Sequence, residues 1–451
     1  MLRIVLGAVG AIIAIALVAL NLSPLSRVYL PAGTGIVAKQ MCSLTWVSGL
    51  DSDRAKAMYL DPLLGDAGRF ISVSLDEERQ ETRSSVLGLF WSQRAVYREG
   101  LGCTLVHNPR QFDFDAAAPN DEAFVPFELD ETHRDESFDT TALNSAVDAA
   151  FADGRNTLGV AVFHDGRLVA EQYALGASRE TRFHGWSMTK SWAATLAGLM
   201  THAGELDINA EGQIPVLADV GYTDVTINHL LRMAGGMELH ETNTGFDPNS
   251  NMLFSQSDMA SWAARQRRLA APGEVWSYMS GNTVIATHTM QQLLGQELSD
   301  QVASLRTRLF EPLNIHSAVI ETDQTGTFQG SSYMYATAHD WARLALLYMN
   351  DGIAPDGTRM LPEDWYDIVA TPTAGSDEEY GLGFWLPREG GILPMETIMM
   401  SGFQGQWAFI MPEQDLVIVR FGATNYVNSG SHRLASDVAA ALRPAAPAPT
   451  E

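Results

Sequence analysis

The chain has 451 residues, 46% hydrophobic and 18% charged, the composition of a packed globular protein with room for more than one domain. Its formal net charge of -25, from 54 acidic and 29 basic residues, leaves no basic stripe to neutralise phosphates, which excludes nucleic acid as a partner. Only three of the basic residues are lysines, Lys39, Lys56 and Lys190, so a lysine inside a motif is informative.

Residues 4–20 carry no polar side chain, and these 17 positions lie at the short end of what spans a bilayer. Arg3 precedes them and the next charge is Arg27, which predicts a cytoplasmic N-terminus, an inner-membrane anchor and a body outside the cytoplasm, periplasmic in a Gram-negative cell. A cleaved signal peptide is the competing reading, although Val18-Ala19-Leu20-Asn21 is a poor cleavage site. Cys42 and Cys103 are the two cysteines, and in an oxidising compartment they are expected to pair, the alternative being two buried thiols. Residues 24–135 read as an accessory region and linker, with β-like runs at 69–75 and 85–90 and an acidic, proline-bearing strap from 109 to 139.

From residue 136 the pattern is regular. An amphipathic helix over 143–151 precedes a hairpin of residues 159–163 and 168–170 with an Asp165-Gly166 turn. Helical patterns follow at 192–202, 258–268 and 340–349, and a second hairpin joins the apolar strands 408–411 and 416–419. Strands at both ends with helices between them predict an α+β domain over 136–442: an antiparallel sheet built from distant segments, flanked by helices and carrying a helical subdomain. Residues 443–451 are a Pro/Ala-rich tail, expected to be disordered.

Three short motifs carry chemistry. Ser187 and Lys190 are one helical turn apart, which brings a hydroxyl and an amine within hydrogen-bonding reach. Serine needs an adjacent base to become a nucleophile, and a desolvated lysine can lose its proton where arginine cannot. Tyr278 stands ahead of Ser280-Gly281-Asn282, and beside a lysine ammonium its proton affinity is expected to fall. Phe403-Gln404-Gly405-Gln406 leads into the late strand, where glycine permits close backbone approach to a ligand and a strand N–H can serve an oxyanion.

In this order, S-x-x-K, Y-x-S-G-N and a G-x-x-G-Q strand resemble the serine hydrolases of the class C β-lactamase and penicillin-binding protein superfamily, and within it the 6-aminohexanoate-dimer hydrolase and esterase branch. The likeness runs from about residue 143 to 441 and includes the phrases at 230–237, 330–337 and 380–385. It implies the β-lactamase-like fold, Ser187 as the acylated nucleophile, Lys190 as its proton acceptor and Tyr278 as the proton shuttle. It also implies an oxyanion hole from the backbone N–H groups of Ser187 and Gln406, with Phe403, Gln404, Gly405, Ser280 and Asn282 around the substrate. No cofactor and no metal are implied. Ser280 replaces the asparagine of the β-lactamases, and Phe403 stands where a lysine or histidine usually opens the strand motif. That leaves a substrate carboxylate without a partner and favours an ester or amide with an apolar acyl part over D-alanyl-D-alanine peptides and β-lactams. A non-catalytic envelope ligand-binding protein is the other alternative. An α/β-hydrolase is disfavoured because the second glycine of G-x-S-x-G is absent, and a zinc protease because His240-Glu241 has no second histidine four residues on.

Overall fold

The computed structural model describes residues 23–120, 122–238, 241–242, 247–424 and 429–444. The apolar segment 4–20 and most of the Pro/Ala tail lie outside the described residues. Among those described, no helix is long and apolar enough to cross a membrane.

The N-terminal region is built on helix α1 (Leu30–Cys42), extended at both ends by π-helical turns, Leu25–Tyr29 and Ser43–Val47. It lies against a four-stranded antiparallel sheet in the order β1 (Ile71–Asp76), β2 (Glu81–Val86), β3 (Phe90–Arg98), β4 (Gly102–Leu105). The sequence reads 85–90 as one β run, but a turn passes through it. Leu87 (φ 52°) and Gly88 (φ 74°) are left-handed, so the chain reverses between β2 and β3 and leaves Leu87 and Leu89 exposed. Cys42 at the end of α1 and Cys103 in β4 form a disulfide with Cα atoms 6.0 Å apart. The strap opens with a 3-10 turn, Pro109–Gln111, carries a short helix, Glu131–Ser137, and is held by bonds from Phe127 N to His339 Nδ1 (3.0 Å) and from Arg343 to the Val125 carbonyl (2.6 Å).

Helix α2 (Thr140–Ala150) packs on a five-stranded antiparallel sheet in which strand β5 (Thr157–His164) lies between the edge strand β6 (Arg167–Tyr173) on one side and the late strands on the other. The β5–β6 turn uses Asp165 (φ 49°) and Gly166 (φ 70°), two left-handed residues that match the twist of a tight hairpin. After the two-residue strand β7 (Phe183–His184) the chain enters α3 (Met188–His202), almost wholly buried, and then the helical portion with α4 (Pro248–Ser255) and α5 (Ser280–Gln291). Strands β8 (Val319–Ile320) and β9 (Met334–Ala336) join β7 in a three-stranded sheet, and α6 (Ala338–Met349) packs across the central strands. The chain returns through β10 (Ile398–Gly402), β11 (Gln406–Met411) and β12 (Leu416–Gly422), with Ile418 opposite Val162 in register, and closes with α7 (Ser431–Ala440) against α2. The sheet order β10-β11-β12-β5-β6 therefore brings the end of the chain beside its middle, and sets the start of β11 next to the start of α3.

Candidate active site

Ser187 caps the N-terminus of α3, directly after Trp186, whose φ of 47° is unusual for a bulky residue. The conformation is held from two sides. The Trp186 indole donates to Gln404 Oε1 (3.2 Å), and its ring meets Phe403 edge to face at 5.5 Å. Lys190, one turn into α3, is 1% exposed. Its Nζ lies 2.9 Å from Ser187 Oγ, 3.0 Å from Ser280 Oγ and 3.1 Å from the Ser331 carbonyl oxygen. Burial lowers its pKa to about 8, against an upward pull from Glu241.

Glu241 has no counterpart in the motifs. Its Oε2 accepts from the backbone N–H of Ser280 (2.8 Å) and from Ser280 Oγ (2.8 Å), so the hydroxyl proton of Ser280 is committed to the carboxylate. A neutral Lys190 has two N–H bonds and one lone pair. The Ser331 carbonyl only accepts, and Ser280 Oγ has already donated, so these two take the N–H bonds and the lone pair faces Ser187 Oγ. The proton inventory of the site thus closes with the amine oriented to receive the Ser187 proton.

Tyr278 hydrogen-bonds to Ser187 and Trp385, and the Lys190 ammonium position lies 4.8 Å from its ring centre. The expected fall in proton affinity does not occur. Burial, reinforced by the Glu241 charge, pushes the phenol well above its ordinary pKa despite the bonds to Ser187 and Trp385. Tyr278 therefore stays protonated and acts as a donor.

The other expected positions are distributed differently. Ser280 belongs to the polar chain. Phe403 lines the cavity in front of Ser187. Gln404 is buried, its amide spanning from Trp186 to the Tyr59 carbonyl of the N-terminal region (3.0 Å). Gln406 turns its side chain inward, bonding the carbonyls of Phe403, Gln404 and Gly422, and it braces the 403–405 turn while its backbone opens β11 opposite Gly402. Gly405 (φ 82°) is supported from beneath by Arg420, whose guanidinium donates to the Gly405 carbonyl (2.6 Å). Arg420 is wholly buried and also bonds Arg155, Thr157 and Thr424, so it does not substitute for the missing strand cation. Asn282 is buried with neither amide atom hydrogen-bonded, packed against Gly235 and away from the cavity. The framework phrases prove to be supports: Ser331 holds Lys190, Met233 receives the Ser277 N–H beside Tyr278 (2.9 Å), and Gly383 packs on the Lys190 carbonyl.

In front of Ser187 lies a cavity of 330 Å³, at the lower end for small-molecule sites. Ser187, Glu241, Asn249, Ser250 and Ser332 are polar residues of its lining, and the remainder is mainly apolar. Among the described lining residues there is no lysine, arginine or histidine. Among the described residues, no cluster of histidine, cysteine and carboxylate side chains with metal-binding geometry is present.

A serine hydroxyl, a desolvated lysine and a protonated tyrosine on an antiparallel sheet with a helical portion define a serine-hydrolase arrangement, and the comparisons agree. The Beta-lactamase family model matches residues 143–443, and the chain belongs to that family. It is a serine hydrolase of the β-lactamase-like α+β fold. Penicillin-binding protein 4 of Amycolatopsis lactamdurans is 28% identical over 293 residues, covering 56% of this chain and 72% of the relative. The 6-aminohexanoate-dimer hydrolase of Paenarthrobacter ureafaciens is 25% identical over 288 residues, covering 58% and 71%. The solved structure named "Putative 6-aminohexanoate-dimer hydrolase from Bacillus anthracis" superposes with a TM-score of 0.56 at 17% identity, over 87% of this chain and 95% of that one. That share exceeds what residues 143–451 supply, so the likeness of fold takes in part of the N-terminal region.

Proposed function

We propose that the chain is an esterase or amidase that acts through an acyl-enzyme on Ser187, and that its substrates carry no carboxylate near the scissile bond. The orientation of the Lys190 lone pair toward Ser187 carries this reading. Ser187 Oγ attacks the carbonyl carbon as its proton passes to Lys190. The resulting oxyanion is received by the backbone N–H groups of Ser187 and Gln406. When the tetrahedral intermediate collapses, the bond to the alcohol or amine breaks and the leaving group takes a proton from Tyr278, which regains from Lys190 the proton that Lys190 took from Ser187. Water then attacks the ester carbonyl, gives its proton to the same base, and Ser187 leaves with a proton restored.

The absence of a cation among the described lining residues supports neutral substrates, because burying a carboxylate without a partner costs several kcal/mol. The disulfide supports an oxidising compartment and therefore export as part of the proposal. A fluorophosphonate probe should label the protein stoichiometrically at Ser187, and Ser187→Ala should abolish labelling. Undiminished labelling of that variant, or none of the native protein, overturns the reading; the second outcome is also what a non-catalytic binding protein would give.

A further inference from the structure

The apolar part of the cavity is made largely by the N-terminal region. Leu30, Gly33 and Ile36 face it from α1, Leu63 and Leu64 from the turn before the small sheet, and Ile71 and Val86, register partners of β1 and β2, from the sheet itself. Leu253 and Phe254 of α4 complete the wall, and Ser187 lines the same cavity. The cavity thus runs from the nucleophile to the β1–β2 ladder. Phe70 lines it and is 48% exposed, so it reaches the surface there. The neighbouring turn adds Leu87 (61% exposed) and Leu89 (80%) as an apolar rim, tied to Phe70 by the bond from Leu87 N to the Phe70 carbonyl (2.8 Å).

We infer that this cavity is an acyl-chain channel, and that the N-terminal region makes the enzyme selective for esters or amides of medium- to long-chain aliphatic acids. The inference rests on the acyl-enzyme reading above and names the substrate class of that same site. A chain seated between Leu30, Ile36, Leu64 and Leu253 exchanges water for apolar contact along its length, which favours each buried methylene by roughly 4-fold. The acyl half is the one assigned to the channel because it stays bonded to Ser187 through both chemical steps, whereas the leaving group departs after the first. The exposed rim at Phe70, Leu87 and Leu89 lets a chain longer than the channel continue along an apolar surface.

Gly33 supplies the test. It lines the cavity from inside α1, where a Cβ would meet no atom within 4 Å, so a side chain can be added there, and replacing a helical glycine does not weaken the helix. The kcat/KM values for p-nitrophenyl acetate, butyrate, octanoate and dodecanoate are compared for the native protein, Gly33→Leu and Gly33→Phe, each checked for fluorophosphonate labelling of Ser187. Expected are a native preference for octanoate or dodecanoate over acetate by at least ~100-fold, and a fall in that ratio of at least ~10-fold in Gly33→Phe with Gly33→Leu between. A labelled native enzyme that prefers acetate, or a ratio unmoved in both labelled variants, overturns the channel and leaves the acyl-enzyme intact. So does a preference that follows the alcohol rather than the acyl chain in a matching series of alkyl acetates. Loss of labelling in the native protein instead overturns the reading on which the channel rests.

Discussion

The base role proposed for Lys190 rests on the asymmetry of its surroundings. Burial lowers its pKa to about 8, while the Glu241 charge restrains that fall and, through Ser280, fixes where the amine points. The rate of Ser187 acylation should therefore rise with pH through an apparent pKa of about 8, since only the neutral amine accepts the serine proton. The Glu241 charge stabilises the ammonium, so Glu241→Gln removes an upward pull and should move this limb to lower pH, at reduced maximal rate because Ser280 loses its charged anchor. Steady-state pH profiles check this; a limb that stays put or moves to higher pH contradicts the assigned relay. The grouping of Ser187, Lys190 and Tyr278 was legible from spacing and order, and the roles proposed for them come from the resemblance. Glu241 was not legible, because its place depends on its carboxylate reaching Ser280 at the N-terminus of α5, 39 residues on, and no local pattern records that approach. The direction of the Tyr278 shift was also hidden, since burial is not visible in a motif.

The elements that aim the site were legible where a local rule governs them. The Asp165-Gly166 hairpin and the β11–β12 hairpin follow from turn residues between apolar runs, and both are present. The split of 85–90 into a turn was missed because Leu87 adopts a left-handed conformation that leucine rarely takes, and α1 was missed because 24–110 was read from its β-like runs. Contact between β10 and the start of α3 is a tertiary property. At Gly402 a Cβ would sit 2.1 Å from the Gly185 carbonyl oxygen, backbone against backbone. Gly402→Ala should push the strand from the nucleophile and lower kcat/KM by at least ~10-fold, given how steeply rate falls with misplacement. Activity at the native level would show that the two backbones separate without consequence.

At the scale of the molecule, the N-terminal region is fastened to the hydrolase portion by more than apolar packing. Lys39 of α1 and Glu321, both fully buried, form an ion pair at 2.6 Å; Glu321 also accepts from Ser43 Oγ (2.8 Å) and Cys103 N (2.6 Å), beside the disulfide. Breaking such a pair from one side leaves a buried charge. Lys39→Met should destabilise by about 3–5 kcal/mol, and Lys39→Met with Glu321→Gln should recover part of that loss, as measured by denaturant unfolding. A double variant less stable than the single one would contradict the pairing. None of this attachment was readable from the sequence, where Lys39 and Glu321 stand far apart with no motif around either.

The central claim is that Lys190 is the base for Ser187, and Lys190→Arg tests it most directly. The guanidinium keeps the charge and cannot take a proton. Pre-steady-state acylation by a p-nitrophenyl ester should fall at least ~1000-fold in both Lys190→Arg and Lys190→Ala. Retention of more than roughly a tenth of the native acylation rate by Lys190→Arg would contradict the account and show that the residue serves only by its charge.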